Sequence, residues 1–292
     1  MELGRLLTAM VTPFTADLEV DYAAVERLAQ HLIDTGSEGI VVCGTTGESP
    51  TLTTKEKLEL FRVVKRVAEG KAAVVAGTGN YCTAESIELS REAEAIGVDA
   101  VMLVAPYYNK PSQEGLYQHF KAIAEKISVP VILYNVPTRT VTNIEPQTII
   151  RLAQVPNIAA VKEASKNMEA VAEIRAGTPA SFRIYSGDDG VTLPIMSVGG
   201  HGIISVAGHL AGRLIRDMVD RFAAGDTAGA LELHLKLLPL FKGIFVTTNP
   251  VPVKYGLNRL GIPVGSVRPP LVEVNEKEAA VVDAALRGLG LL

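Results

Sequence analysis

The chain has 292 residues, of which 48% are hydrophobic and 21% charged, and a formal net charge of -4. That length admits two ordinary domains or one α/β barrel, and the hydrophobic share excludes a disordered chain. The slight acidity leaves no electrostatic footprint for nucleic acid or an anionic membrane surface, so small solutes are the expected partners.

The opening stretch MELGRLLTAMVTPF runs into Pro13 and Asp17 with no small-residue cleavage site, so export is not expected. No later run approaches the roughly 18 to 20 apolar residues of a membrane helix. Cys43 and Cys82 are too few for a disulfide framework and read as reduced thiols, which predicts a cytoplasmic protein.

Short apolar runs then recur along the chain. They are LLTAMVTPF from Leu6, GIVVCG from Gly39, AAVVAGTG from Ala72, AVMLVAPYY from Ala100, VPVILYNV from Val129, IAAVKEAS from Ile158, FRIYSGDD from Phe182 and GIISVAGHL from Gly202. Between them lie stretches of helical period with charged outer faces, such as DYAAVERLAQHLIDTG and TTKEKLELFRVVKRVAEG, and Gly36 and Gly97 sit where helices should end. Eight β–α alternations without the break of a doubly wound sheet predict a (β/α)8 TIM barrel over residues 1–212. Residues 213–292 read as a C-terminal helical region with proline-rich joints at Asn249 to Pro252 and Pro269 to Pro270.

A barrel of this type places its chemistry at the carboxyl ends of the strands. Those ends carry Thr12, the Gly44–Glu48 turn, Thr78, Asn80, Tyr107, Tyr108, Tyr134, Arg139, Lys162, Glu163, the Ser186–Asp189 segment and Ser205. Lys162 is the oddest of them, a full charge inside a run that should be apolar on both faces. On a period of two it shares a face with Ile158 and Ala160. An amine kept in apolar surroundings has a lowered pKa and attacks carbonyls to form imines. From this segment alone, an ion pair with Glu163 or Asp188 explains the lysine equally well.

Its neighbours favour the nucleophile. Tyr134 ends the adjacent strand, and imine formation needs a proton relay that a buried phenol linked to the hydroxyls of Thr45 and Tyr108 can supply. The GTTGE turn can bring backbone N–H groups and Thr hydroxyls to a carboxylate, although glycine turns after strands are common. Arg139 in YNVPTRT is a rigid fork for a second carboxylate. The five histidines form no i, i+4 pair, which speaks against a zinc site, and Gly199 to Gly202 precede the eighth strand and belong at the barrel floor.

With these residues assembled, the chain resembles the dihydrodipicolinate synthase family of the pyruvate-dependent class I aldolase superfamily. The marks are TAMVTPF, CGTTGES, GTGNYCTAES, APYYNKPSQEGLYQHFKAIAE, ILYNVPTRT, VKEAS, SGDD, GGHGIISV and NPVPVK, which span almost the whole chain. The resemblance implies that Lys162 forms an imine with pyruvate and that Tyr134, Thr45 and Tyr108 form the relay, with Tyr108 reaching across a dimer interface. It implies that Thr46 holds the pyruvate carboxylate, that Arg139 binds the carboxylate of aspartate semialdehyde, and that Gly187 and the Ile204 carbonyl line the pocket. No metal or other cofactor is implied, and a homotetramer built as a dimer of dimers is. Ser49, Glu85 and Tyr107 fit the lysine-feedback site of regulated relatives, whereas Thr54, Lys57 and Tyr81 depart from it, which predicts weak or absent feedback. The nearest rival is a sister lyase acting on N-acetylneuraminate or keto-sugar acids, against which Arg139 and NPVPVK argue. A binding protein that kept the barrel and lost its chemistry is the rival of another class.

Overall fold

The computed structural model describes residues 3–292. The eight apolar runs become strands β1 (Leu6–Ala9), β2 (Gly39–Val42), β3 (Ala73–Gly77), β4 (Ala100–Val104), β5 (Val131–Asn135), β6 (Ile158–Glu163), β7 (Arg183–Ser186) and β8 (Gly202–Ser205). All pair in parallel in sequence order, and β8 closes on β1, so the chain forms the expected TIM barrel. The helices between and around the strands are α1 (Tyr22–Asp34), α2 (Thr54–Ala68), α3 (Thr83–Ile96), α4 (Gln113–Ala124), α5 (Pro137–Thr140), α6 (Pro146–Leu152), α7 (Met168–Gly177), α8 (Thr192–Ser197) and α9 (Gly208–Ala223). Three more follow: α10 (Thr227–Gly243), α11 (Val251–Arg259) and α12 (Glu276–Gly288). The division expected at residues 212 and 213 falls inside α9, beside a kink at Ala211 (φ -137°, ψ 35°).

Local signals fix the helix ends. Asp21 accepts from the Ala24 amide at the start of α1, Thr53 and Glu56 form a reciprocal capping box on α2, and Gly97 closes α3 with φ 90°. None of the helices among the described residues is long and apolar enough to cross a membrane.

Strand alternation divides the apolar residues into two cores. Leu7, Val41, Val75, Met102, Ile132 and Ala160 fill the barrel interior, while Leu6, Ile40, Val74, Val101, Leu133 and Val161 face the helices. Ile158 was expected to share a face with Lys162, yet it belongs to the outer core. Ile158 pairs with Val131 and Ala160 with the very next residue, Ile132, so β6 holds one extra residue against β5 and loses a step of alternation. Ala160 and Lys162 therefore point inward although Ile158 points out.

The junction of β1 with α9 is held by a buried imidazole. His209 Nε2 accepts from the Val11 amide at 3.0 Å, which fixes the proton on Nδ1, and Nδ1 donates to the Val206 carbonyl at 2.8 Å. Burial pushes its pKa down to about 4 from an ordinary 6.5. The unfolded chain therefore binds a proton more readily, and stability rises with pH across that interval. In chemical denaturation the fold should lose about 3 kcal/mol from this group as pH falls from 7 to 4, and His209→Gln should flatten that part of the profile.

Candidate active site

Parallel register brings three polar side chains of the interior level with one another. Lys162 on β6 is the direct partner of Tyr134 on β5 and of Tyr185 on β7. The Lys162 side chain is buried, and its Nζ stands 4.3 Å from the centroid of the Tyr134 ring. Neither carboxylate that would make it a structural ion pair is committed to it. Asp188 pairs with Lys166 at 2.7 Å, and Glu163 accepts from Asn135 Nδ2 at 3.0 Å and from the Ser165 amide at 2.6 Å.

Burial, the largest influence, lowers the Lys162 pKa to about 8 from 10.5; the Asp189 carboxylate works against it and the Arg139 guanidinium adds to it. At pH 7 about one amine in ten is then uncharged, against about one in three thousand for an ordinary lysine. Asp189 was not singled out in the sequence beyond its SGDD motif. It is buried, and it accepts from Ser205 Oγ and from the amides of Val206 at 3.0 Å and Ala207 at 3.3 Å. A fixed carboxylate thus acts on the nucleophile without pairing with it.

Burial raises the pKa of the Tyr134 phenol against the opposing influence of the Arg139 guanidinium and the nearby Thr45 side chain, so it stays protonated and able to give or relay a proton. Thr46 is buried, and its hydroxyl accepts from Asn249 Nδ2 at 2.9 Å. Gly187 lies where a Cβ would come within 2.7 Å of the Ala164 Cβ and 3.2 Å of the Lys162 Cγ, so only glycine lets β7 end beside the lysine. Lys162, Tyr134, Thr46, Gly187, Arg139 and Asn249 share one cavity of about 570 Å³. Thr45 lines a second of about 230 Å³, and Tyr134 and Arg139 stand between the two.

Two expected residues do not bring their side chains to these cavities within the single chain. Tyr108 is 92% exposed in a left-handed turn (φ 73°) and lines neither cavity of its own chain. Ile204 is packed in the barrel interior with its side chain away from the cavity lining. Thr78 is a structural residue, its hydroxyl 2.7 Å from that of Ser90. Asn249 was visible only as part of NPVPVK, because nothing local links it to Thr46, 203 positions earlier.

An amine that sheds its proton readily, a protonated phenol near a threonine hydroxyl, a turn with a buried threonine hydroxyl and an exposed guanidinium can together condense an amine with a keto acid and receive a second anionic substrate. The comparisons with known proteins agree with that chemistry. The Dihydrodipicolinate synthetase family matches residues 2–289. The 4-hydroxy-tetrahydrodipicolinate synthase of Moorella thermoacetica is 58% identical over 100% of both chains. The structure of the enzyme from Cyanidioschyzon merolae with lysine bound superposes with a TM-score of 0.98 at 46% identity, covering 99% of each chain. That of dihydrodipicolinate synthase from Bacillus anthracis does so with 0.96 at 47%, covering 98% of each.

An NMR titration of the Lys162 side chain should give a midpoint near 8. In Asp189→Asn the midpoint should fall, because the charge that opposes burial is gone. A Lys162 midpoint at the ordinary value of 10.5 would contradict the siting described here.

Proposed function

The chain belongs to the dihydrodipicolinate synthetase family, and from that premise we propose which of its side chains carries each step of the reaction. It is a lyase that condenses pyruvate with L-aspartate 4-semialdehyde to give 4-hydroxy-tetrahydrodipicolinate, a step toward diaminopimelate and lysine. The observation that carries the assignment of roles is the buried Lys162 amine, free of a committed carboxylate and 4.3 Å from the Tyr134 ring.

In this reading the neutral Lys162 amine adds to the C2 carbonyl of pyruvate. Tyr134, through Thr45, protonates the departing hydroxyl, water leaves and the imine forms. Loss of a C3 proton to the same relay gives the enamine, whose C3 bonds to the aldehyde carbon while the aldehyde oxygen takes a proton. The amino group of the adduct then attacks the imine carbon and closes the ring, and the C2–Nζ bond breaks to return Lys162. The imine serves as electron sink throughout, so these steps call for no metal. Thr46 seats the pyruvate carboxylate and Arg139 that of the semialdehyde, with Gly187 and the Ile204 carbonyl along the wall. We place the protein in the cytoplasm.

Tyr108 completes the relay from a neighbouring subunit: its 92% exposure in a strained turn suits a side chain whose surroundings are supplied by a second copy. We therefore assign a homotetramer made of two such dimers. The sister-lyase alternative is not favoured, since full-length relatives at 51–58% identity are 4-hydroxy-tetrahydrodipicolinate synthases.

Borohydride treatment with pyruvate should leave a reduced adduct on Lys162 by mass spectrometry, and Lys162→Ala should abolish both adduct and turnover in a coupled reductase assay. Arg139→Ala should raise KM for the semialdehyde at least tenfold and leave adduct formation with pyruvate intact. Cleavage of sugar acids without synthase turnover would reject the reading. Lysine at sub-millimolar concentration should inhibit weakly or not at all, because the half-buried ammonium of Lys57 stands at the expected effector site near Glu85.

A further inference from the structure

The Gly44–Glu48 turn is gripped from outside the barrel at two points. Thr46 receives Asn249, just ahead of α11, and Glu48 receives Lys254 from within α11. Glu48 has φ 56°, a left-handed conformation that a glutamate seldom adopts unless its surroundings impose it. Its side chain is 1% exposed and that of Lys254 2%; Oε1 accepts from Lys254 Nζ at 2.9 Å and Oε2 from the Arg268 amide at 2.9 Å. The Lys254 ammonium also donates to the Ser266 carbonyl and stands 4.2 Å from the centroid of the Phe14 ring. Among the described residues, every polar bond of this carboxylate comes from the C-terminal region.

Stability alone does not account for such a pair. Removing two charges from water costs about as much as their attraction returns, and apolar residues of the same volume often hold a fold equally well. What a buried, fully bonded carboxylate supplies is direction. Within the turn, Gly47 N donates to the Gly44 carbonyl and Glu48 N to that of Thr45, while the Thr45 and Thr46 amides have no backbone acceptor among the described residues. Those two amides lie in the Gly44–Thr45 and Thr45–Thr46 peptide planes of the turn that ends on Glu48. Were Glu48 released, its backbone would relax toward the right-handed region and these planes would turn with it.

We propose that Lys254 is a positioning residue for the keto acid: through Glu48 it keeps the Thr45 and Thr46 amides and the Thr46 hydroxyl aimed into the cavity. The C-terminal region thereby sets the affinity for the carboxylate of pyruvate. This rests on the assignment of Thr46 to that carboxylate.

The test compares Lys254→Met, the charge-neutral double variant Glu48→Gln/Lys254→Met and Thr46→Val in steady-state kinetics with both substrates, with thermal unfolding to confirm folded protein. Lys254→Met should raise KM for pyruvate about tenfold, the signature of lost uniform binding, with kcat within about twofold and KM for the semialdehyde unmoved. Where the single variant does not fold, the double variant carries the same expectation. An unchanged pyruvate KM in a folded variant, or a fall in kcat with both KM values disturbed alike, overturns the inference. If Thr46→Val raises pyruvate KM while the Lys254 variants do not, the inference alone fails. If Thr46→Val leaves it unmoved, the assignment of Thr46 fails and takes the inference with it.

Discussion

Desolvation of the Lys162 amine is the constraint around which the barrel is arranged. A lysine in the interior of a β/α barrel is costly in its charged form, and the chain does not remove that cost with a dedicated counter-ion. The carboxylates nearest in sequence are occupied by Lys166, Asn135 and the Ser165 amide. Asp189 acts at longer range and is itself restrained by Ser205 and two amides, so it tempers the effect of burial without cancelling it. The amine is left with an aromatic face and an open cavity, the conditions under which it is a nucleophile near neutral pH.

The rest of the site follows from where the barrel ends its strands. Register sets Tyr134 beside Lys162, and Gly187 lets the end of β7 approach it. Thr45 and Thr46 arrive on a turn whose glycines and whose left-handed Glu48 no strand could accommodate. The segment after α9 is also part of this arrangement, since Asn249, Lys254 and Arg268 all bond to the β2 turn or to its flanking helix α2.

Much of this was legible before the structure. The eight strands and their helices announce themselves because each apolar run is covered on both faces and each helix carries one polar face, and a lysine in such a run is conspicuous. What stayed hidden depends on contacts between distant positions. Glu48 meets Lys254 and Thr46 meets Asn249 across more than two hundred residues, and neither pair leaves a periodic trace. The irregularity of β6 was equally invisible, because IAAVKE fits an unbroken alternation as well as an interrupted one. Tyr108 could be placed on its loop, but its exposure in a single chain could not be read from YYNK.

That irregularity decides more than packing. Counting outward from Ile158 in strict alternation would turn the reactive nitrogen toward the surrounding helices, and the surplus residue near Ala159 reverses the parity. A β6 that kept all six residues but paired with β5 in unbroken register would leave composition, hydropathy and every named side chain in place, yet its nucleophile would face hydrocarbon on the wrong side of the wall. Substitutions along β6 can be graded by chemistry, whereas smoothing out the surplus step with all six residues kept is a change of phase that no compensating side chain repairs.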